Sequence, residues 1–237
     1  LFESRKSFKD TIFYDVSAWN FGLAFDLNFA FVNRSNFSQS LLGKNTQQVS
    51  TQLPDSRGAI ALAFDWSNFS SVQLLSEMQR HGLKVQSLMK PAYLSGINNA
   101  QKLTLGSLIL PLNNQNISKR EIFEWLEPRL KLLQVEAIAI KKGLAIKGVD
   151  LGSPSAPVLK EVKPLLIIGD GVSGYDAGEV WHFLDRRLSQ PVTRVTLQQL
   201  GHLMLSRYTH LILADGKYQL DDVTTQKVEA WIKNGGV

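Results

Sequence analysis

The run PLLIIGDG (residues 164–171) decides the fold of the second half of this chain. Five apolar residues in succession, two of them β-branched, suit a strand buried on both faces, the usual state of a parallel sheet. A helical pattern follows in AGEVWHFLDRRL (177–188), then a strand candidate in VTRVTL (192–197). THLILADG (209–216) gives a third strand ending at Asp215-Gly216, and DDVTTQKVEAWIKNGG (221–236) reads as a closing helix. Strand and helix alternate throughout, the order of an open parallel α/β sheet. Chemistry in such sheets sits at the carboxyl ends of the strands. The strand expected after Gly235-Gly236 is where a nucleophile would stand, and the sequence given ends at Val237. The expectation is therefore a scaffold without its own catalytic residues.

Working outward, a second α/β unit is expected over 56–142. AIALAF (59–64) reads as a strand. SSVQLLSEMQRHG (70–82) is an amphipathic helix with Ser70 or Ser71 as cap and Gly82 as stop. LKVQSL, LGSLILPL and VEAIAI supply further strands. SKREIFEWLEPRLKLLQ (118–134) carries Ser118 and Glu121 at capping-box spacing, with Pro128 expected to kink or divide the helix. Residues 143–162, rich in Gly and Pro, form the expected linker to the unit at 163–237. Both units are assigned open parallel sheets of the flavodoxin or amidotransferase kind. Residues 1–55 stand apart as an N-terminal segment. Phe13, Tyr14, Trp19, Phe21, Phe25, Phe29 and Phe31 crowd into it, and a tract rich in Asn, Ser and Gln follows. That aromatic density suits packing against a neighbouring domain, or a platform for a sugar or peptide.

Composition narrows the function classes. Apolar residues make up 44% and charged residues 20% of 237, as in ordinary globular proteins. No apolar run is long enough to cross a bilayer. Lys and Arg outnumber Asp and Glu by 26 to 21, but the basic residues are dispersed, with pairs such as Lys141-Lys142 and Arg186-Arg187. A nucleic-acid binder concentrates such charge on one face, so no nucleic-acid partner is expected. The chain has no cysteine, which excludes a thiol nucleophile, a disulfide framework and a cysteine-based zinc site within it.

Three chemistries can be weighed on the residues. Gly169, Gly171 and Gly174 spell G-x-G-x-x-G after a strand, the pattern that lets a pyrophosphate approach a helix N-terminus. A nucleotide-binding oxidoreductase is the alternative reading on that ground. Against it, residues 175–178 are expected to delay the helix, and Arg194 stands near the place of the ribose-binding acid. A hydrolase could use Ser173 with His182, with Asp176 and Glu179 on nearby turns. Zinc chemistry needs ligands that converge, and His81, His182, His202 and His210 have no His or Glu three or four residues away in a metal-binding pattern. No residue is assigned as catalytic or as a metal ligand. If a ligand binds, the expected crevice lies between the 169–174 loop (Gly169, Gly171, Ser173, Gly174) and the Asp215-Gly216 turn, with Asp176, Glu179 and His182 beside it. The two carboxylates favour a small neutral or zwitterionic ligand.

Several blocks together resemble the C-terminal region of large bacterial zinc carboxypeptidases of the metallocarboxypeptidase family. They are TIFYDVSAWNFGLAF (11–25), GVDLGS (148–153), AGEVWHFLD (177–185), SRYTHLILADGKY (206–218) and AWIKNGG (230–236). The C-terminal module of that family is similar to the class I glutamine amidotransferase fold. The resemblance implies a parent peptidase, with its zinc in a peptidase domain upstream of Leu1, and an exported, periplasmic or extracellular setting. The implied partners are that peptidase domain and a peptide or small-molecule ligand. The family's His-x-x-Glu pair and later His have no counterpart here, and neither does the amidotransferase cysteine. The resemblance therefore implies a non-catalytic accessory region without a cofactor of its own.

Overall fold

The computed structural model describes residues 53–54, 58–96 and 99–237, all within the compact unit Val49–Val237. The aromatic N-terminal segment, with Phe13 to Phe31, lies outside the described residues.

In the first half the chain builds a four-stranded sheet from β1 (Ala61–Phe64), β2 (Gln86–Ser87), β5 (Leu108–Pro111) and β6 (Ile138–Ile140) in the order β2-β5-β1-β6. Every pairing in it is antiparallel. This corrects the parallel sheet expected from the unbroken apolar runs. Those runs report burial of both faces, and both faces are indeed covered. Leu62, Phe64, Leu108 and Leu110 pack on Leu74 and Met78 of α1 (Phe69–Arg80) and on Ile122, Leu126 and Leu130 of α2 (Lys119–Leu133). Ala61, Ala63 and Ile109 face the other way, onto Leu88, Ala92, Leu94 and Leu103. That second cover is a small sheet the sequence did not announce, formed by β3 (Ala92–Ser95), β4 (Ala100–Leu103) and β7 (Lys147–Gly148). β3 and β4 pair as an antiparallel hairpin, and β5 runs antiparallel to β1.

Residues 143–162 run along this first half. Besides contributing β7, they place Leu151 and Ala156 in its core, and Gln86 Nε2 donates to the carbonyls of both, at 3.0 and 2.8 Å.

Helix ends follow side-chain chemistry. Asn68, rather than Ser70 or Ser71, caps α1 by accepting from the Ser70 N–H at 3.0 Å. Ser71 turns its hydroxyl to the Asp65 carbonyl instead, at 2.6 Å. The Ser118–Glu121 capping box on α2 forms as read. Pro128 does not divide α2, which continues through it to Leu133.

The second half holds β8 (Pro164–Ile167), β9 (Thr193–Val195) and β10 (His210–Ile212) in one parallel sheet, in the order β10-β8-β9. The open parallel sheet expected for 163–237 is thus present, and β8 is buried along its whole length. Leu165 and Ile167 pack with Val195, Leu200 and Leu205 on one face. Helix α3 (Gly174–His182), extended by a π-helical turn at Phe183–Arg187, follows β8. The short helix α4 (Leu197–Leu200) follows β9, and α5 (Asp222–Lys233) follows β10. Ser189, in the left-handed region at φ 52°, joins the halves: its carbonyl accepts from Ser76 Oγ and Arg80 Nη1, each at 3.1 Å.

Candidate functional site

The loops after β8 and β10 both leave the carboxyl edge of the parallel sheet, the place where α/β sheets hold their ligands. The segments named from the sequence do meet, with Gly171 and Ser173 beside Asp215 and Gly216. They meet by bonding to each other. Val172 and Gly216 form an antiparallel bridge, the Ser173 N–H donates to the Asp215 carbonyl at 2.8 Å, and the Lys217 N–H donates to the Gly171 carbonyl at 2.7 Å.

Two glycines make this possible. Gly171 has φ +82°, and a Cβ there would stand 2.8 Å from the Lys217 carbonyl oxygen. A Cβ on Gly216 would stand 2.6 Å from the Gly171 carbonyl oxygen. Replacing Gly171 by a bulky residue would therefore disturb the loops themselves. Tyr218 locks the second loop by donating from its hydroxyl to the Ala214 carbonyl at 2.6 Å. Its pKa is raised, first by burial and then by the nearby Asp215 charge.

The remaining residues of the expected site have local roles. Ser173 is the N-cap of α3, its hydroxyl accepting from the Asp176 N–H at 3.4 Å. Helix α3 starts directly at Gly174, without the delay expected over 175–178. Ser173 and His182 lie at opposite ends of α3, roughly 13 Å apart by helical rise, too far for a nucleophile–base pair. Asp176, Glu179 and His182 are all exposed, with the acid in the first turn and the imidazole in the last, as the helix dipole favours.

The glycine triplet fares unevenly. Gly169 and Gly171 occupy positive φ and shape the turn, whereas a Cβ on Gly174 would meet nothing within 4 Å. In a dinucleotide fold the third glycine lets helix and strand approach closely, and here no such approach exists. Arg194 stacks on Trp181, its guanidinium carbon 3.8 Å from the ring centroid.

His81 stacks on Trp125 at 4.5 Å, and His210 Nδ1 lies 2.8 Å from Thr209 Oγ1. Among the described residues, no three His, Cys, Asp or Glu side chains are placed to hold one metal ion. No described helix is long and apolar enough to cross a membrane.

Two hollows escaped the sequence reading. A polar one of about 270 Å³ is lined by Arg80, His81, Trp125 and Arg129. There Arg129 Nε lies 3.2 Å from Glu77 Oε2 but makes no hydrogen bond, so the contact is ionic. The larger hollow, about 890 Å³, opens at the opposite edge of the parallel sheet beneath α5. Its lining comes from residues 160–162, 202–210 and 227–237, which are separate in sequence. The one local signal is the spacing of Lys227, Ala230, Trp231 and Asn234, a single face of α5.

No protein-family model, curated protein or solved structure matches this chain.

Proposed function

We propose that this region is a non-catalytic accessory part of a zinc carboxypeptidase, with the half at 163–237 an amidotransferase-like module. One observation carries the reading: the crevice at the carboxyl edge, where such a module would hold its chemistry, is bridged by its own backbone at Val172 and Gly216. The strand order supports the finer assignment. β8 is central with β9 and β10 at its sides, and Val237 lies outside β10, donating to the Thr209 carbonyl at 3.0 Å and accepting from the Leu211 N–H at 2.8 Å. The order of the three strands, second, first, third, is the one that begins a flavodoxin-like sheet. The family is proposed from the sequence blocks given above. The zinc belongs to a peptidase domain upstream, the natural partner of this region, and the setting is periplasmic or extracellular. The accessory region supports that domain or shapes access to it.

The test is metal analysis of the 237-residue chain, together with an assay for release of C-terminal amino acids from peptides. The expected result is no turnover and no stoichiometric zinc held by side chains; turnover with bound zinc sinks the proposal. Titration with reduced nicotinamide cofactor separates the oxidoreductase alternative. Binding tighter than about 100 μM, roughly 5.5 kcal/mol, would favour that alternative.

A further inference from the structure

The hollow beneath α5 has the size, lining and charge of a small-molecule site. Its volume of about 890 Å³ lies within the range of ligand pockets. It exists because α5 is packed incompletely: Thr224 is the helix's one fully buried residue, while Val228 and Trp231 are half-buried against the sheet. Trp231 is fixed by two constraints. Its indole Nε1 donates to the Tyr208 carbonyl at 3.3 Å, and the ring lies so close to Gly236 that a Cβ there would fall 2.3 Å from Cδ2. The indole is thus a rigid wall, and Met204, 65% exposed, offers a flexible apolar side chain at the same hollow.

The charge around this apolar space is positive. Lys160 and Lys227 line it with the imidazoles of His202 and His210. The side-chain carboxylate in the lining, Glu161, is paired with Lys163 at 3.2 Å. Lys227 Nζ donates to the Gly201 carbonyl at 2.7 Å, which holds the ammonium in place and leaves it further donors.

We infer that this hollow binds a small organic anion with an apolar body, its acid group on Lys227 and its body against Trp231 and Met204. An apolar wall alone would accept a neutral molecule equally well. The positioned ammonium is what selects the anion, because a charge-assisted hydrogen bond is about twice as strong as a neutral one.

The test is calorimetric titration of the full chain with octanoate and with 2-naphthoate, beside the neutral amides octanamide and 2-naphthamide. At least one acid should bind at one site with Kd below about 1 mM, and its amide should bind about tenfold more weakly. Lys227→Met should weaken the acid about tenfold while leaving the amide unchanged. Met204→Glu lies on an exposed position where folding is undisturbed, and should also repel the acid. Far-ultraviolet circular dichroism checks that both variants fold. The inference is overturned if neither acid binds, if acid and amide bind equally, or if both variants bind the acid like the parent chain.

Discussion

Gly216→Ala is the sharpest test of the closed carboxyl edge. The added Cβ would stand 2.6 Å from the Gly171 carbonyl oxygen and 3.0 Å from Val172 Cα. Both are backbone atoms, so no side-chain rotation relieves the clash, and the two loops must part. Parting them breaks the bonds from the Ser173 N–H to Asp215 and from the Lys217 N–H to Gly171. At about 0.5–1.5 kcal/mol net for each, the loss is about 1–3 kcal/mol. Restricting the unfolded chain returns about 0.4–1 kcal/mol of that. The net cost of about 0–2.6 kcal/mol corresponds to a fall in Tm of up to about 10 °C for a unit of this size. Gly174→Ala is the matched control, since its Cβ meets nothing within 4 Å at the start of α3. It should stabilise by about 0.5–1 kcal/mol, because alanine is the better helix residue. Thermal unfolding would compare the two, and hydrogen exchange would follow the Ser173 and Lys217 amides. If Gly216→Ala melts as high as Gly174→Ala with both amides still protected, the loops are not joined as described.

Leu110→Ala, which empties a fully buried position between the antiparallel sheet and its helices, should cost about 2–5 kcal/mol and lower the urea midpoint without changing the m-value. Gln86→Ala strands the Leu151 and Ala156 carbonyls. It should cost about 1–3 kcal/mol and speed proteolysis within 143–162, where an unchanged digestion rate would contradict the packing of that segment. The pKa values of Asp65, Glu121 and Asp221 are lowered by hydrogen bonds, from the Ser67 hydroxyl and N–H, the Ser118 hydroxyl and N–H, and the Thr224 N–H and hydroxyl. Folded values below unfolded ones give stability that is complete above about pH 4 and lost as the pH falls through the lowered values. Urea midpoints should therefore fall below about pH 4, and Glu121→Gln should flatten part of that fall.

The parallel half was legible because its signals are local. PLLII marks the central strand, and each crossover follows in chain order, so periodicity alone lays out the sheet. The Ser118–Glu121 box was legible for the same reason. AIALAF was read correctly as a strand but wrongly as part of a parallel sheet. What covers its second face is the β3–β4 hairpin with β7, whose sequences AYLS, AQKL and KG carry little strand signal. Asn68 won the cap from Ser70 and Ser71 because Ser71 is buried and satisfies its hydroxyl on the Asp65 carbonyl. The loop glycines were read as openings for a ligand. Their actual neighbours are the backbone atoms of each other's loop, a pairing between residues far apart in sequence that no local pattern encodes. The hollow beneath α5 was illegible for that reason too.

The two edges of the parallel sheet make opposite demands on a ligand. Entry at the carboxyl edge must first separate the loops, and that cost of about 1–3 kcal/mol lowers apparent affinity by roughly 5- to 150-fold. Entry beneath α5 needs no parting of loops, since the walls of the hollow already stand apart with Lys227 and Trp231 held in place. Gly216→Ala therefore separates the two locations for any ligand that is found. A ligand of the carboxyl edge should bind the variant more tightly, because the loops are already parted. A ligand of the hollow should bind variant and parent chain alike. An organic acid whose affinity follows Lys227 and ignores Gly216 places the recognition site at the amino edge, and leaves the closed edge as structure.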